Sequence, residues 1–168
     1  MSRALKTIVY RGGILTFRVP SNWRETYDPD GGGEFFEDGP DKPTLRLNVL
    51  TARGPDMSAS AAADFLAKKH GAIERREDGT ALVRYVQPAE ERGTRLLLTR
   101  WEIAQALPPH HLRILAFTWT ILASQEHDAS IREDFELLDA EIRSAVLSPR
   151  LGEVRSGCLG FLVPRERV

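Results

Sequence analysis

Three consecutive segments between residues 80 and 124 constrain the fold more than anything else in this chain. "TALVRYVQP", "GTRLLLTRWEIAQAL" and "HLRILAFTWTILAS" alternate with the period-2 rhythm of β-strands, and only the short links "AEERG" and "PPHH" separate them. Long strands with such links run antiparallel, because a parallel return needs a crossover of roughly a dozen residues or more. In the third segment Leu115, Phe117, Trp119 and Ile121 share one face, and Ile114, Ala116, Thr118 and Thr120 the other. Neither face is strongly polar, so this strand is expected at the centre of a sheet with both sides covered.

Upstream, "KTIVYRGGILTFRVP" reads as two short strands that turn at Gly12-Gly13, where glycine supplies the positive φ of a hairpin. Leu15, Phe17 and Val19 alternate with Thr16 and Arg18, Pro20 ends the strand, and Trp23 is expected to lay its ring over the sheet edge. "EFFE" and "TLRLNVLTA" are further strands, the latter with Leu45, Leu47 and Val49 on one face and Arg46 and Asn48 on the other.

Helical spacing occurs twice. "MSASAAADFLAKKHG" carries a stripe of Ala62, Phe65, Leu66 and Lys69, with Ser58 as its cap and Gly71 as its stop. In "ASIREDFELLDAEIRSAVL" the stripe is Ile131, Phe135, Leu138, Ile142 and Ala145, opposite Arg132, Glu133, Glu136, Asp139 and Arg143, with Pro149 as the stop. The fold class that follows is α+β: a twisted antiparallel sheet of about six or seven strands flanked by helices. Residues 1–147 are read as one domain and 148–168, where the composition changes, as a C-terminal tail.

The order of these elements resembles the Mog1/PsbP-like fold and its bacterial DUF1795 relatives. The residues that carry the likeness are "GILTFRVPSNW" (Gly13 to Trp23), with Phe17, Pro20 and Trp23 in an F-x-x-P-x-x-W spacing, the "RILAFTWTI" strand and the amphipathic last helix, together spanning about residues 5 to 147. The resemblance implies an α/β/α sandwich. It also implies a protein partner rather than a shared active site, since such folds serve as a small-GTPase-binding protein, a photosystem subunit, lipoproteins and chaperones for type VI secretion effectors. No catalytic residue is carried over. The glycine-rich acidic stretch and the tail depart from the pattern.

That stretch, "YDPDGGGEFFEDGPD" (Tyr27 to Asp41), holds Asp28, Asp30, Glu34, Glu37, Asp38 and Asp41 with no basic residue. An EF-hand loop started at Asp28 would put Gly32 and Gly39 where oxygen ligands belong, so the calcium motif fails. Asp30-Gly31 and Asp38-Gly39 are instead turn dipeptides around a short strand in which Phe35 and Phe36 point to opposite faces. His70, His110, His111 and His127 lack metal-ligand spacing, the lone Cys158 falls in the tail, and no nucleophile elbow or phosphate loop is present.

Composition narrows the partners. Lys plus Arg (23) and Asp plus Glu (24) nearly cancel, to a net charge of -1, so a general nucleic-acid binder is not expected. No apolar run is long enough to span a membrane, and the N-terminus lacks the apolar core and cleavage site of a signal peptide. With a single cysteine, the cytoplasm is the expected setting. The leading expectation is a non-enzymatic cytoplasmic binding or adaptor protein that needs no cofactor and recognises a protein partner. Its candidate contacts are Trp23, Phe36 and the "LGFLV" run, together with Arg84, Arg95, Arg100 and Arg113 if these strand arginines share a face. Lys68, Lys69, His70, Arg75 and Arg76 read as a solvated basic face, and Glu91 and Glu102 as partners for the strand arginines. Alternatives are a secretion-effector chaperone, an enzyme or small-molecule binder with a pocket between sheet and helices, and a homodimer formed through the tail.

Overall fold

The computed structural model describes residues 3–151. β1 (Leu5–Tyr10) and β2 (Leu15–Pro20) form a hairpin, and β10 (Val146–Leu147) pairs with the other edge of β2, giving a small three-stranded sheet. β3 (Arg24–Tyr27), β4 (Gly33–Phe36), β5 (Thr44–Arg53), β6 (Glu74–Arg75), β7 (Ala81–Glu91), β8 (Thr94–Leu107) and β9 (His111–Leu122) form a seven-stranded sheet in the order β3-β4-β5-β9-β8-β7-β6. Every pairing is antiparallel. Two α-helices, α1 (Ala61–His70) and α2 (Ala129–Arg143), and two single 3-10 turns at Arg11–Gly13 and Ala123–Gln125 complete the described chain. This is the expected α+β architecture, with the first hairpin set apart as its own layer.

One face of the large sheet is covered over its central strands. Leu45 and Leu47 of β5, Trp101 and Ile103 of β8, and Leu115, Phe117 and Trp119 of β9 point there and are buried. The small sheet closes one end through Ile8, Leu15, Phe17 and Val19. Phe17 meets Phe35 and Phe117 edge-on, with ring centroids 5.3 and 5.2 Å away. α2 closes the rest, stacking Phe135 on Trp101 and burying Ile131, Leu138 and Ile142. Each such side chain contributes about 1.5–3 kcal/mol of hydrophobic stabilisation before ordering costs.

Several local readings need correction. Trp23, expected at the sheet edge, is 2% exposed and belongs to this core. "RETY" is a strand, β3, although all four of its residues are exposed, because an edge strand is held by its backbone rather than by an apolar face. "AEE" continues β7, and the turn is only Arg92-Gly93, whose positive φ angles (49° and 80°) close the β7–β8 hairpin. α1 starts after Ser60 rather than Ser58 and buries Ala62, Ala63 and Leu66, leaving Phe65 exposed. α2 ends at Arg143, before β10, rather than at Pro149. Cys158 and the "LGFLV" run lie outside the described residues.

Candidate functional site

Register fixes which side chains share a face of the large sheet. Tyr85 (β7) pairs with Arg100 (β8), Arg100 with Thr118 (β9), Thr118 with Arg46 (β5), and Arg46 with Glu34 (β4). These residues form one row across the face turned away from α2. One step along the strands, Gln87, Leu98, Thr120, Thr44 and Phe36 make the next row. α1 covers this face only at the other end, where Ala62, Ala63 and Leu66 pack on Ala81, Val83, Ala104 and Leu112. Beyond the helix, β9 is therefore half-covered rather than enclosed on both sides, and Thr118 and Thr120 are only partly buried.

The uncovered half holds a groove of about 520 Å³. Leu96, Leu98 and Thr120 form its floor; Asp41, Lys42 and Arg46 stand on one rim and Glu91 on the other. Arg46 is held by Glu34 at 2.7 Å. A largely apolar floor between charged rims suits a partner that is itself amphipathic.

Where α1 meets the open half lies a polar cluster. Glu102, 5% exposed, accepts from Lys69 Nζ through both oxygens at 3.0 Å and from the Tyr85 hydroxyl at 2.9 Å, and lies 3.0 Å from His70 Nε2. Burial pushes its carboxyl up, but the bonds from Lys69, His70 and Tyr85 outweigh burial and hold it below the ordinary carboxylate range. The His70 and Tyr85 rings lie 4.8 Å apart. Lys69 and His70 are thus not a solvated basic face but the tether of the helix end, and Glu102 serves them rather than the strand arginines. Gly71 ends the helix at φ 79°, its N–H donating to the Ala67 carbonyl at 2.8 Å.

The candidate contacts separate. Arg100 and Phe36 lie on the uncovered half, both half-buried. Arg84, Arg95 and Arg113 have the opposite parity in their strands and project from the other face, so the four arginines do not align. Arg84 bonds Asp139 of α2 at 3.2 Å and lies over the Phe135 ring. Arg95 is exposed near the β7–β8 turn. Arg113 is fully buried, donating to Gln105 Oε1 at 3.0 Å and to the carbonyls of Ser148, Arg150 and Leu151 at 3.0, 2.7 and 2.9 Å. It fastens the chain that follows β10 and cannot meet a partner there; Trp23, within the core, cannot either. Arg46, Leu98 and Thr120 were not singled out, because they join Arg100 only through long-range pairing of β5 with β9.

In the acidic stretch, Glu34, Glu37 and Asp38 pair with Arg46, Lys42 and Arg24. Asp30-Gly31 and Asp38-Gly39 lie in the turns before and after β4. Phe35 is buried while Phe36 faces the groove side. No group of three or more metal-donor side chains occurs among the described residues.

No protein-family model matches the sequence, and no curated protein matches it. Solved structures do. A Bacteroides thetaiotaomicron protein is 16% identical over 85% of this chain with a TM-score of 0.55, and this chain spans 48% of that protein's length, about half. LpqN of Mycobacterium tuberculosis, involved in cell envelope biogenesis, is 11% identical, with 87% of this chain and 91% of LpqN covered and a TM-score of 0.57. The Ran-binding protein Mog1p of Saccharomyces cerevisiae is 12% identical, with 87% and 96% covered and a TM-score of 0.49. Likeness at such identity shows the fold alone: this chain shares the fold of the Bacteroides thetaiotaomicron protein and of LpqN.

Proposed function

We propose that this chain is a non-enzymatic binding protein that holds a protein partner on the uncovered half of the large sheet. One observation carries the reading: α1 shields only one end of that face, and the remainder is an apolar-floored groove with charged rims. Burial of an apolar floor supplies affinity, and the rims supply orientation. A chaperone holding an apolar helix of a secreted client is one specific form of the same reading. A reducing compartment such as the cytoplasm fits the single cysteine; no helix of the described chain is long and apolar enough to cross a membrane.

The convergence of His70, Lys69 and Tyr85 on Glu102 favours a second reading, a small-molecule site at the end of α1. It is the weaker one. A carboxyl held below its ordinary range is a poor proton acceptor near neutral pH, and its oxygens are already occupied.

Affinity capture from the native cell tests the first reading. A protein retained by the wild type and by Arg95→Asp, on the opposite face, but lost by Leu98→Asp supports it. Identical captures by all three overturn it.

A further inference from the structure

Three arginines of the described chain are half-buried: Arg76, Arg100 and Arg143. Arg76 pairs with Asp78, and Arg143 with Glu74 and Asp139. Arg100 forms no ion pair among the described residues, and its Nε is buried without an acceptor. It lies beside the Tyr85 hydroxyl, which is itself committed to Glu102. Glu102, two residues away on the same face of β8, is already occupied by Lys69, His70 and Tyr85. Across the row, Thr118 separates Arg100 from Arg46, and Arg46 is held by Glu34. Among the described residues, then, a guanidinium without a counter-charge of its own stands at the inner end of the uncovered half, one row from Leu98 and Thr120.

We propose that Arg100 is the anchor for a carboxylate of the docked partner. The partner presents an Asp or Glu side chain to Arg100 above Thr118 and lays an apolar neighbour on Leu98 and Thr120. The proposal rests on the docking face described under Proposed function and adds the chemistry of what docks. A guanidinium forks onto a carboxylate through two parallel N–H bonds, and the half-buried setting strengthens them relative to an exposed pair. The stretch of β8 from Leu96 to Glu102 is about 20 Å long at strand rise, which suits a chain segment rather than a lone anion.

The probe is a library of random linear peptides displayed on phage, selected against the full-length chain. The expected peptides carry an acidic residue beside apolar ones. Their binding weakens about tenfold or more in Arg100→Gln and is unchanged in Arg95→Gln. Leu98→Asp abolishes it, and the Arg100 Nε–H resonance moves when the peptide is added. Peptides that lose binding in Leu98→Asp but not in Arg100→Gln overturn the carboxylate anchor and leave the docking face standing. Peptides indifferent to Leu98→Asp, or no peptide at all, overturn both.

Discussion

Trp101 Nε1 donates to Asp139 Oδ1 at 2.8 Å, so a polar bond joins the large sheet to α2 within an otherwise apolar layer. The same carboxylate accepts from Arg84 at 3.2 Å and from Arg143 Nε at 2.9 Å. Burial raises its pKa, and the bonds from Trp101 and Arg143 more than reverse that, leaving it below the ordinary value. Asp139→Ala is expected to destabilise the fold by about 2–3 kcal/mol, because a buried indole N–H loses its acceptor along with two charge-assisted contacts. Asp139→Asn, which keeps an acceptor oxygen, should lose less. Urea denaturation of the two variants checks this, and equal losses would refute it.

Acid should affect two buried carboxylates in opposite ways. The folded-state pKa of Glu102 lies below its ordinary 4.5, so its contribution is full above that value and is lost as pH falls through the lower folded value. The stability advantage of wild type over Glu102→Gln should therefore shrink as pH drops below 4.5. Burial raises Asp134 above its ordinary 3.8, although Arg3 partly offsets this. Its penalty at neutral pH is relieved as pH falls through the raised value and is gone below 3.8, so wild type should gain on Asp134→Asn over that range. Thermal melts of the three proteins between about pH 7 and pH 3 separate the two signs.

The buried face of α1 can be tested by neighbouring substitutions. Leu66→Ala should cost about 2–4 kcal/mol, since Leu66 is fully buried against the sheet. Phe65→Ser should change stability by no more than about 0.5 kcal/mol, since Phe65 faces solvent. Chemical denaturation of both decides, and a larger loss for Phe65→Ser would show that the helix is rotated from the orientation described.

Calcium should leave the melting midpoint unchanged. Glu34, Glu37 and Asp38 are already matched to basic side chains across the β3–β4–β5 region, so binding an ion would mean breaking those pairs. A midpoint that climbs with added calcium would contradict this and restore a cation site to residues 27–41.

The long strands and α2 were legible because alternation over 81–122 and the stripe from Ile131 to Ala145 each repeat often enough to fix a phase. The site was legible only in part. Within β8, Arg100 shares parity with Leu96, Leu98 and Glu102, whereas Arg95 shares parity with Trp101 and Ile103, so the division of the arginines was readable once the strand was granted. Which residues of β5 lie opposite Thr118 was not readable, since pairing across seventy residues leaves no local trace. The phase of α1 was hidden for another reason. A helix of alanines offers little contrast between its faces, and the sheet decided which of them to bury.

That alanine seam has a consequence for motion. Apart from Leu66, α1 rests on the sheet through Ala62 and Ala63 against Ala81 and Ala104, contacts that remove little area each, while α2 inserts three large side chains, Ile131, Leu138 and Ile142. Local opening is cheapest where buried apolar area is least. The backbone amides of α1 should therefore exchange their hydrogens with solvent through a partial unfolding that leaves the sheet intact, long before those of α2 do. In that opened form the Glu102 tether is released, and the whole second face of the sheet lies bare.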